Sequence, residues 1–591
     1  MKIKNILMVS TVALLSMTAC NDDAFLKENP KSIYTTDNAF NTADQVNACV
    51  TNLYVHIRYW YQIDNFWCGL GADVMDTPYF RCTGNGYSNF SNWSPTSSSS
   101  SKVFDAMYQL VNFANQTLEG YRSPNITWDD AQKKAEIYGQ TMFFRGYGYL
   151  SLGELFGGVP LVDKYYDTLK LDFSRSSRAE TYRFAINDLK RAAANLPKYP
   201  SEAGRVARGA AYHFLSEAYL ALATINDNNA AQLDTAIAYA DTVMAMHPLM
   251  TSRFGTRTVS GNVKNGVDSY YKDGNVFFDL FQEGNYDYSE GNTEAVWTIE
   301  NDYTVYHQYG GDNYVPSPRN ASPVLRDATW GSAYKNVGGG AGPWASNINT
   351  SDYPGGNVSA YLGGRGTATY SPTDYVIEQI WKNDDGDIRN APCNIRRNFV
   401  CTDTKSKMYG KACGIDMLDA TSQKITEFYP IWTKFAPVDD WGYDDLTDGG
   451  DRSNMYCDRY AVRSAETLLL RAEEKLRKGD KAGAAADVNI LRRRAQCKVM
   501  ATASEMDLQY ILDERARELY GEERRWATLL RMGSDGIKSI NDHAMYIVDQ
   551  PYWKGYFKAS QQPITKWTLW PIPQADIDGN SDAKITQNPG W

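Results

Sequence analysis

Metal-ligand patterns are the first thing this sequence lacks. Only five histidines (His56, His213, His247, His307 and His543) are spread over 591 residues, and no CxxC pair occurs. The clustered His and Cys sets of zinc sites are therefore absent, and no metal centre of that kind is expected. No GxSxG elbow, HExxH helix or Walker-type loop is present either, which removes the most legible signatures of hydrolases, metalloproteases and nucleotide-binding proteins. Positive charge is short as well: 60 Lys and Arg stand against 70 Asp and Glu, a net charge of -10. Nucleic-acid binding needs the opposite sign. Beyond the N-terminus there is no second long apolar run, so no spanning helix is expected in the rest of the chain.

The N-terminus itself is informative. Lys2 and Lys4 precede an apolar run from Ile6 to Met17, and Thr18-Ala19 supplies small residues before Cys20. Residues 1–19 thus read as a secretion signal, and Met17-Thr18-Ala19-Cys20 resembles a lipobox whose Cys20 thiol receives lipid. The acidic pair Asp22-Asp23 is similar to a lipoprotein surface-export signal. The expected location is the outer membrane, lipid-anchored through Cys20 and facing outward. Eight further cysteines in an exported chain permit disulfides, with Cys68–Cys82 and a pair within Cys393, Cys401 and Cys413 the nearest candidates.

Helical periodicity runs through Ala43–Tyr59, Lys102–Tyr121, Trp128–Leu155, Ser177–Ala194, Arg208–Ala223 and Leu233–Met246. It returns at Ala461–Lys478, Lys481–Ala495, Glu505–Tyr520 and Arg524–Met532. Between them lies a stretch rich in Gly, Asn, Ser, Asp and aromatics, with strand-like alternation at Glu294–Glu300. The fold class expected is mainly α: a tetratricopeptide-like helical scaffold with a large irregular loop-rich lobe containing a few short strands. After the signal (1–19), residues 20–591 read as one domain, with an N-terminal scaffold (20–250), an inserted lobe (251–455) and a C-terminal helical part with a closing tail (456–591).

Four segments then carry a resemblance. They are Asp23-Ala24-Phe25-Leu26 with Pro30; Phe144-Arg145-Gly146-Tyr147 running on to Gly157-Gly158-Val159-Pro160-Leu161; Arg463 to Glu473 followed by Asn489, Leu491-Arg492 and Glu514 to Leu519; and Pro571-Ile572-Pro573 with Gln587 to Trp591. In this order they are similar to the RagB/SusD family, with Gly146 standing where that family usually has Ala. The resemblance implies a surface lipoprotein that captures oligosaccharides without catalysis and partners a SusC-like TonB-dependent outer-membrane transporter. Some relatives handle peptides, so a peptide or glycopeptide binder is one alternative; a lipid-anchored glycoside hydrolase is the other.

Helical spacing lines up Arg145, Arg463, Glu466, Glu473, Glu514, Arg515, Glu518 and Arg525, which read as ion pairs between packed helices rather than catalytic groups. Aromatics are the abundant chemistry, with 41 Tyr and 15 Trp. A sugar's C–H face stacks on such rings while its hydroxyls seek neighbouring polar groups. The expected glycan-binding residues are Tyr87, Asn89 and Trp93 in the first aromatic loop, Tyr306 and Tyr309 in the second, and Trp330 and Trp344 in the Gly-rich region. Asp73 and Asp76 read either as sugar-bonding groups or as local caps. No cofactor is expected. The acidic turns at Asn383–Asp387 and Asp439–Asp451 offer oxygen ligands for a structural calcium but lack EF-hand spacing, and read first as solvated turns.

Overall fold

Short polar caps punctuate long Ala-rich segments, and each such segment becomes a helix. The computed structural model describes residues 40–63, 71–76, 93–255, 274–282, 284–301, 321, 371–383, 386–397, 399–400, 412–413, 429–435, 458–549 and 563–591. The N-terminal scaffold consists of α1 (Ala43–Ile63), α2 (Ser98–Tyr121), α3 (Ala131–Leu155), α4 (Arg178–Asn195), α5 (Arg208–Thr224) and α6 (Ala230–Met246). Asp130 accepts hydrogen bonds from the Gln132 and Lys133 amides, which is why α3 begins after Trp128. Ser177 and Glu180 close a capping box on α4. From α2 onward each helix packs on the next, and α6 passes the stack to the C-terminal helices, as in tetratricopeptide hairpins. Gly146 sits at one of the close contacts: a Cβ there would stand 2.9 Å from Leu189 Cγ, so the absent methyl lets α3 approach α4.

The lobe is stitched by short antiparallel pairs. β1 (Met75–Asp76) pairs with β3 (Ser371–Pro372), β2 (Ala295–Ile299) with β8 (Arg459–Arg463), β4 (Ile395–Arg396) with β7 (Ile431–Trp432), and β5 (Phe399–Val400) with β6 (Ala412–Cys413). Its described part also holds two four-residue helices, α7 (Val276–Asp279) and α8 (Asp374–Ile377), and three short 3-10 turns. β2 is buried at every position, so its alternation does not mark one wet and one dry face. Cys393 is a free, buried thiol that Asn275 approaches, so a disulfide through it is corrected; Cys68, Cys82 and Cys401 lie outside the described residues.

β8 runs directly into α9 (Ser464–Arg477), followed by α10 (Lys481–Arg494), α11 (Leu508–Leu519), α12 (Arg525–Met532), α13 (Ser534–Asp549) and α14 (Gln574–Gly579). The closing tail straps back onto the C-terminal end of α3. The Trp570 amide donates to Leu155 O at 2.9 Å, and Asn588 Nδ2 donates to Phe156 O at 2.8 Å and Trp570 O at 2.6 Å.

The charged helical residues are the ion pairs expected. Arg145 forks onto Asp188 at 2.6 and 3.0 Å. Arg463 meets Glu294 and Glu518 at 2.6 Å each, and Arg389 meets Glu514 at 2.8 Å and Glu518 at 3.0 Å. Arg515 pairs with Glu466 at 2.9 Å and Glu523 at 2.6 Å, while Arg531 holds Glu473 at 2.9 Å. Because Glu294 and Arg389 belong to the lobe and Glu514 and Glu518 to α11, this network fastens the lobe to the scaffold. Removing one member would strand a buried charge, at a cost of about 3–5 kcal/mol.

Candidate binding surface

The aromatic loops spring from two described frames. At one end of the β1–β3 pair Asp76 faces Ser371, so the loop carrying Tyr87 and Asn89 departs beside the point where the segment carrying Trp330 and Trp344 returns. At the end of the β2–β8 pair Ile299 faces Arg459, so the loop carrying Tyr306 and Tyr309 departs beside the point where the chain re-enters at Asp458. At the β1–β3 pair, strands far apart in sequence therefore bring the ends of two aromatic-bearing segments side by side. Tyr87, Asn89, Tyr306, Tyr309, Trp330, Trp344 and Cys20 themselves lie outside the described residues.

Trp93 is placed, and its expected role is corrected. Its ring lies parallel to Trp567 (centroids 5.9 Å, interplanar angle 5°), tilted on Trp526 at 5.5 Å and edge-on to Trp570 at 5.6 Å. With 9% of its surface exposed, it has no open face for a sugar. Its partners come from α12 and the closing tail, so the loop's composition carried no sign of them. The cluster continues outward through Trp567 to the half-buried Trp591, stacked at 5.1 Å.

Asp73 is also structural. Fully buried, it takes both prongs of Arg525 at 2.9 and 2.6 Å and the Ser539 hydroxyl at 2.9 Å. Burial pushes its carboxyl up, but Arg525 outweighs burial and holds it below the ordinary range. Ser539 lies 3.2 Å from His543 Nδ1, so Asp73, Ser539 and His543 assemble the residue types of a hydrolytic triad. Ser539 is fully buried and its proton goes to a carboxylate already neutralised by Arg525, so the arrangement offers no accessible nucleophile.

Asp387, in the first acidic turn, is buried, bound to Arg389 at 2.7 Å and caps the turn that follows, so at this residue the expected solvated turn is corrected to a buried ion pair. A different acidic group assembles at the mouth of the β2–β8 pair. Carboxylate oxygens of Asp287, Glu300 and Asp458 all lie within 4.8 Å of one another. Thr298 donates to Asp287 at 2.6 Å and the Asn301 amide to Asp458 at 2.7 Å. Burial, then repulsion from Asp287, pushes Glu300 up to about 8; burial and Glu300 push Asp458 well above the usual range. Such a trio shares protons or a cation, although Ca²⁺ would need further oxygens to fill its shell.

Beside it the chain presents a ring pair that sequence reading missed. Tyr199 and Tyr288 stack at 4.5 Å with an interplanar angle of 16°, both half-buried, with Lys198 Nζ 5.0 Å from the Tyr199 centroid. His247 backs both rings at 5.9 and 5.6 Å. Tyr199 leaves the scaffold after α4, and Tyr288 sits next to Asp287 in the lobe. Only the packing of lobe on scaffold unites them, so no local signal marked the pair.

Comparison with known proteins follows this geometry. Residues 250–591 match the model of the SusD family, and residues 22–220 match a model described as "Starch-binding associating with outer membrane". The chain is 36% identical over 130 residues to the starch-binding protein SusD of Bacteroides thetaiotaomicron, a match spanning 22% of this chain and 21% of that relative. A crystal structure of a SusD homologue from the same species superposes with a TM-score of 0.64 at 19% identity, covering 94% of this chain and 98% of that one. A laminarin-binding SusD-like protein superposes at 0.61 with 18% identity, covering 93% and 100%.

Proposed function

The chain belongs to the SusD family, and on that membership we propose that it is a non-catalytic glycan-binding lipoprotein of the cell surface. It captures an oligosaccharide and passes it to a partner TonB-dependent transporter in the outer membrane. The observation that carries this reading is the match of residues 22–220 to a model described as starch-binding and associated with the outer membrane, continued by the family match over 250–591. Two relatives are named for glucose polymers, starch and laminarin, so neutral glucans are the first ligand class to test.

The chemistry suits that class. Stacking requires flat apolar rings with polar edges, and the loops rooted at the two strand pairs supply Tyr87, Tyr306, Tyr309, Trp330 and Trp344, with Asn89 as a hydroxyl partner. Tyr288 on Tyr199, flanked by the acidic trio, provides a ring and acceptors of the same kind. Cys20 anchors the protein through lipid. Affinity electrophoresis against a polysaccharide panel that includes starch and laminarin, run beside a reducing-sugar release assay, tests the reading. Retardation without product is the expected result. Steady release of sugar would establish the hydrolase instead, and retention of peptides alone would establish the peptide binder.

A further inference from the structure

Glu474 is a fully buried carboxylate with no ion pair among the described residues. It lies on α9 and faces α5, where the Ser216 hydroxyl donates to Oε1 at 2.6 Å, while Oε2 has no hydrogen-bond partner. The surrounding cations are committed elsewhere. Arg471 pairs with Asp241 of α6 at 2.6 Å and Asp487 of α10 at 2.7 Å, and Lys475 also takes Asp487 at 2.7 Å. Arg477 takes Glu473 at 2.8 Å, Lys478 takes Asp234 of α6, and Arg531 of α12 is shared between Glu473 and Glu217 of α5. His213 of α5, bonded to Thr467, is held neutral because burial pushes its pKa down to about 3. One helical turn before Glu474, Leu470 packs with Leu220, Ala223 and Leu233. An ionised carboxylate here would sit next to Glu473, beside an apolar cluster, with a single hydroxyl to solvate it.

We infer that Glu474 is carried as a neutral carboxylic acid and forms a proton-dependent joint between α5 and α9. Burial pushes its pKa up to about 8; the Ser216 bond opposes the shift, Glu473 adds to it, and the attraction of Arg531 and Arg471, which are paired elsewhere, does not cancel it. The position has reach, because α9 continues without a break from β8, the strand that pairs with β2 of the lobe. Ionisation of Glu474 loosens the helix on which that strand is mounted.

The sign of the effect follows from the proton count. Below the ordinary glutamate value of 4.5 both folded and unfolded chains hold the proton. Between that value and about 8 only the folded chain holds it, so each unit of pH costs stability; above 8 both have lost it and the cost is constant. Glu474→Gln copies the protonated form and removes this term. In thermal unfolding of the full chain from pH 5 to pH 9, the wild type is expected to lose about 2–4 °C relative to Glu474→Gln by pH 8 and nothing further beyond it. The infrared difference spectrum between the wild type and Glu474→Gln at pH 7 should show the loss of one protonated-carboxyl component, over the bands that Glu154, Glu300 and Asp458 contribute to both proteins. Parallel pH profiles for the two proteins, or identical carboxyl bands, would overturn the inference. Should Glu474→Gln fail to fold, Ser216→Ala serves instead: it must shift the frequency of that wild-type band, and an unchanged spectrum overturns the joint equally.

Discussion

Single residues divide here by whether their polar or flat surface is already spent. Trp93 is surrounded by Trp526, Trp567 and Trp570, so Trp93→Ala should act on stability rather than on ligand binding. A loss of about 3–5 kcal/mol is expected in denaturant unfolding; an unchanged midpoint with weakened glycan binding would restore its ring to the binding surface. Tyr288 is the opposite case, half-buried and stacked on one neighbour. Tyr288→Ala is expected to weaken retention on a bound glucan about fivefold, the worth of roughly 1 kcal/mol of ring stacking, with the melting temperature nearly unchanged. In sequence the two aromatics look alike, each in a polar loop. What distinguishes them is the set of distant side chains packed around each, which a local window cannot contain.

At the scale of elements, helices and their caps were legible because period and cap residues are local. The predicted Trp128 start of α3 moved only to Ala131, where Asp130 caps it. Joints between elements were not legible. The turn after α3 shows why: Gly158 lies against the backbone of Ser176, and a Cβ there would overlap the Ser176 carbonyl oxygen. Gly158→Ala should therefore lower the melting temperature markedly, since a backbone oxygen cannot rotate away as a side chain does. Asn588 is the latch of the closing tail, accepting from Arg175 and donating to Phe156 and Trp570 carbonyls. Asn588→Ala removes the Nδ2 donor from the buried Trp570 and Phe156 carbonyls, the second of which keeps Arg175 Nη2 at 3.3 Å, and should cost about 1–3 kcal/mol, measurable as a shifted unfolding midpoint and faster proteolysis of the tail.

Across the whole molecule the buried charges set the pH response. Burial pushes Glu473 and Glu514 up, but Arg531 and Arg477 on the first, and Arg389, Arg517 and Arg492 on the second, outweigh it and hold both near 2. Their stabilisation is present above the ordinary value of 4.5 and is lost as pH falls through about 2. Glu154 and Glu300, pushed by burial and neighbouring carboxylates up to about 8, act oppositely and cost stability as pH rises from 4.5 to 8. The melting temperature should therefore peak near about pH 5 and fall on both sides; a plateau extending to pH 8 would show that these glutamates ionise freely. For the anchor, Cys20→Ala is expected to move the protein from the membrane fraction to the soluble fraction, checked by fractionation and immunoblot. The sequence by itself determined the helical scaffold, the irregular lobe, the family and the structural nature of the charged helical residues, because period, caps and ordered motifs are properties of neighbouring residues. Only the tertiary structure decided that Trp93 is core, that Tyr199 meets Tyr288, that Asp287, Glu300 and Asp458 share one site and that Glu474 has no ion pair among the described residues. Each of these depends on which surfaces distant segments leave covered or open, and that is fixed only when the lobe and the closing tail pack onto the helices.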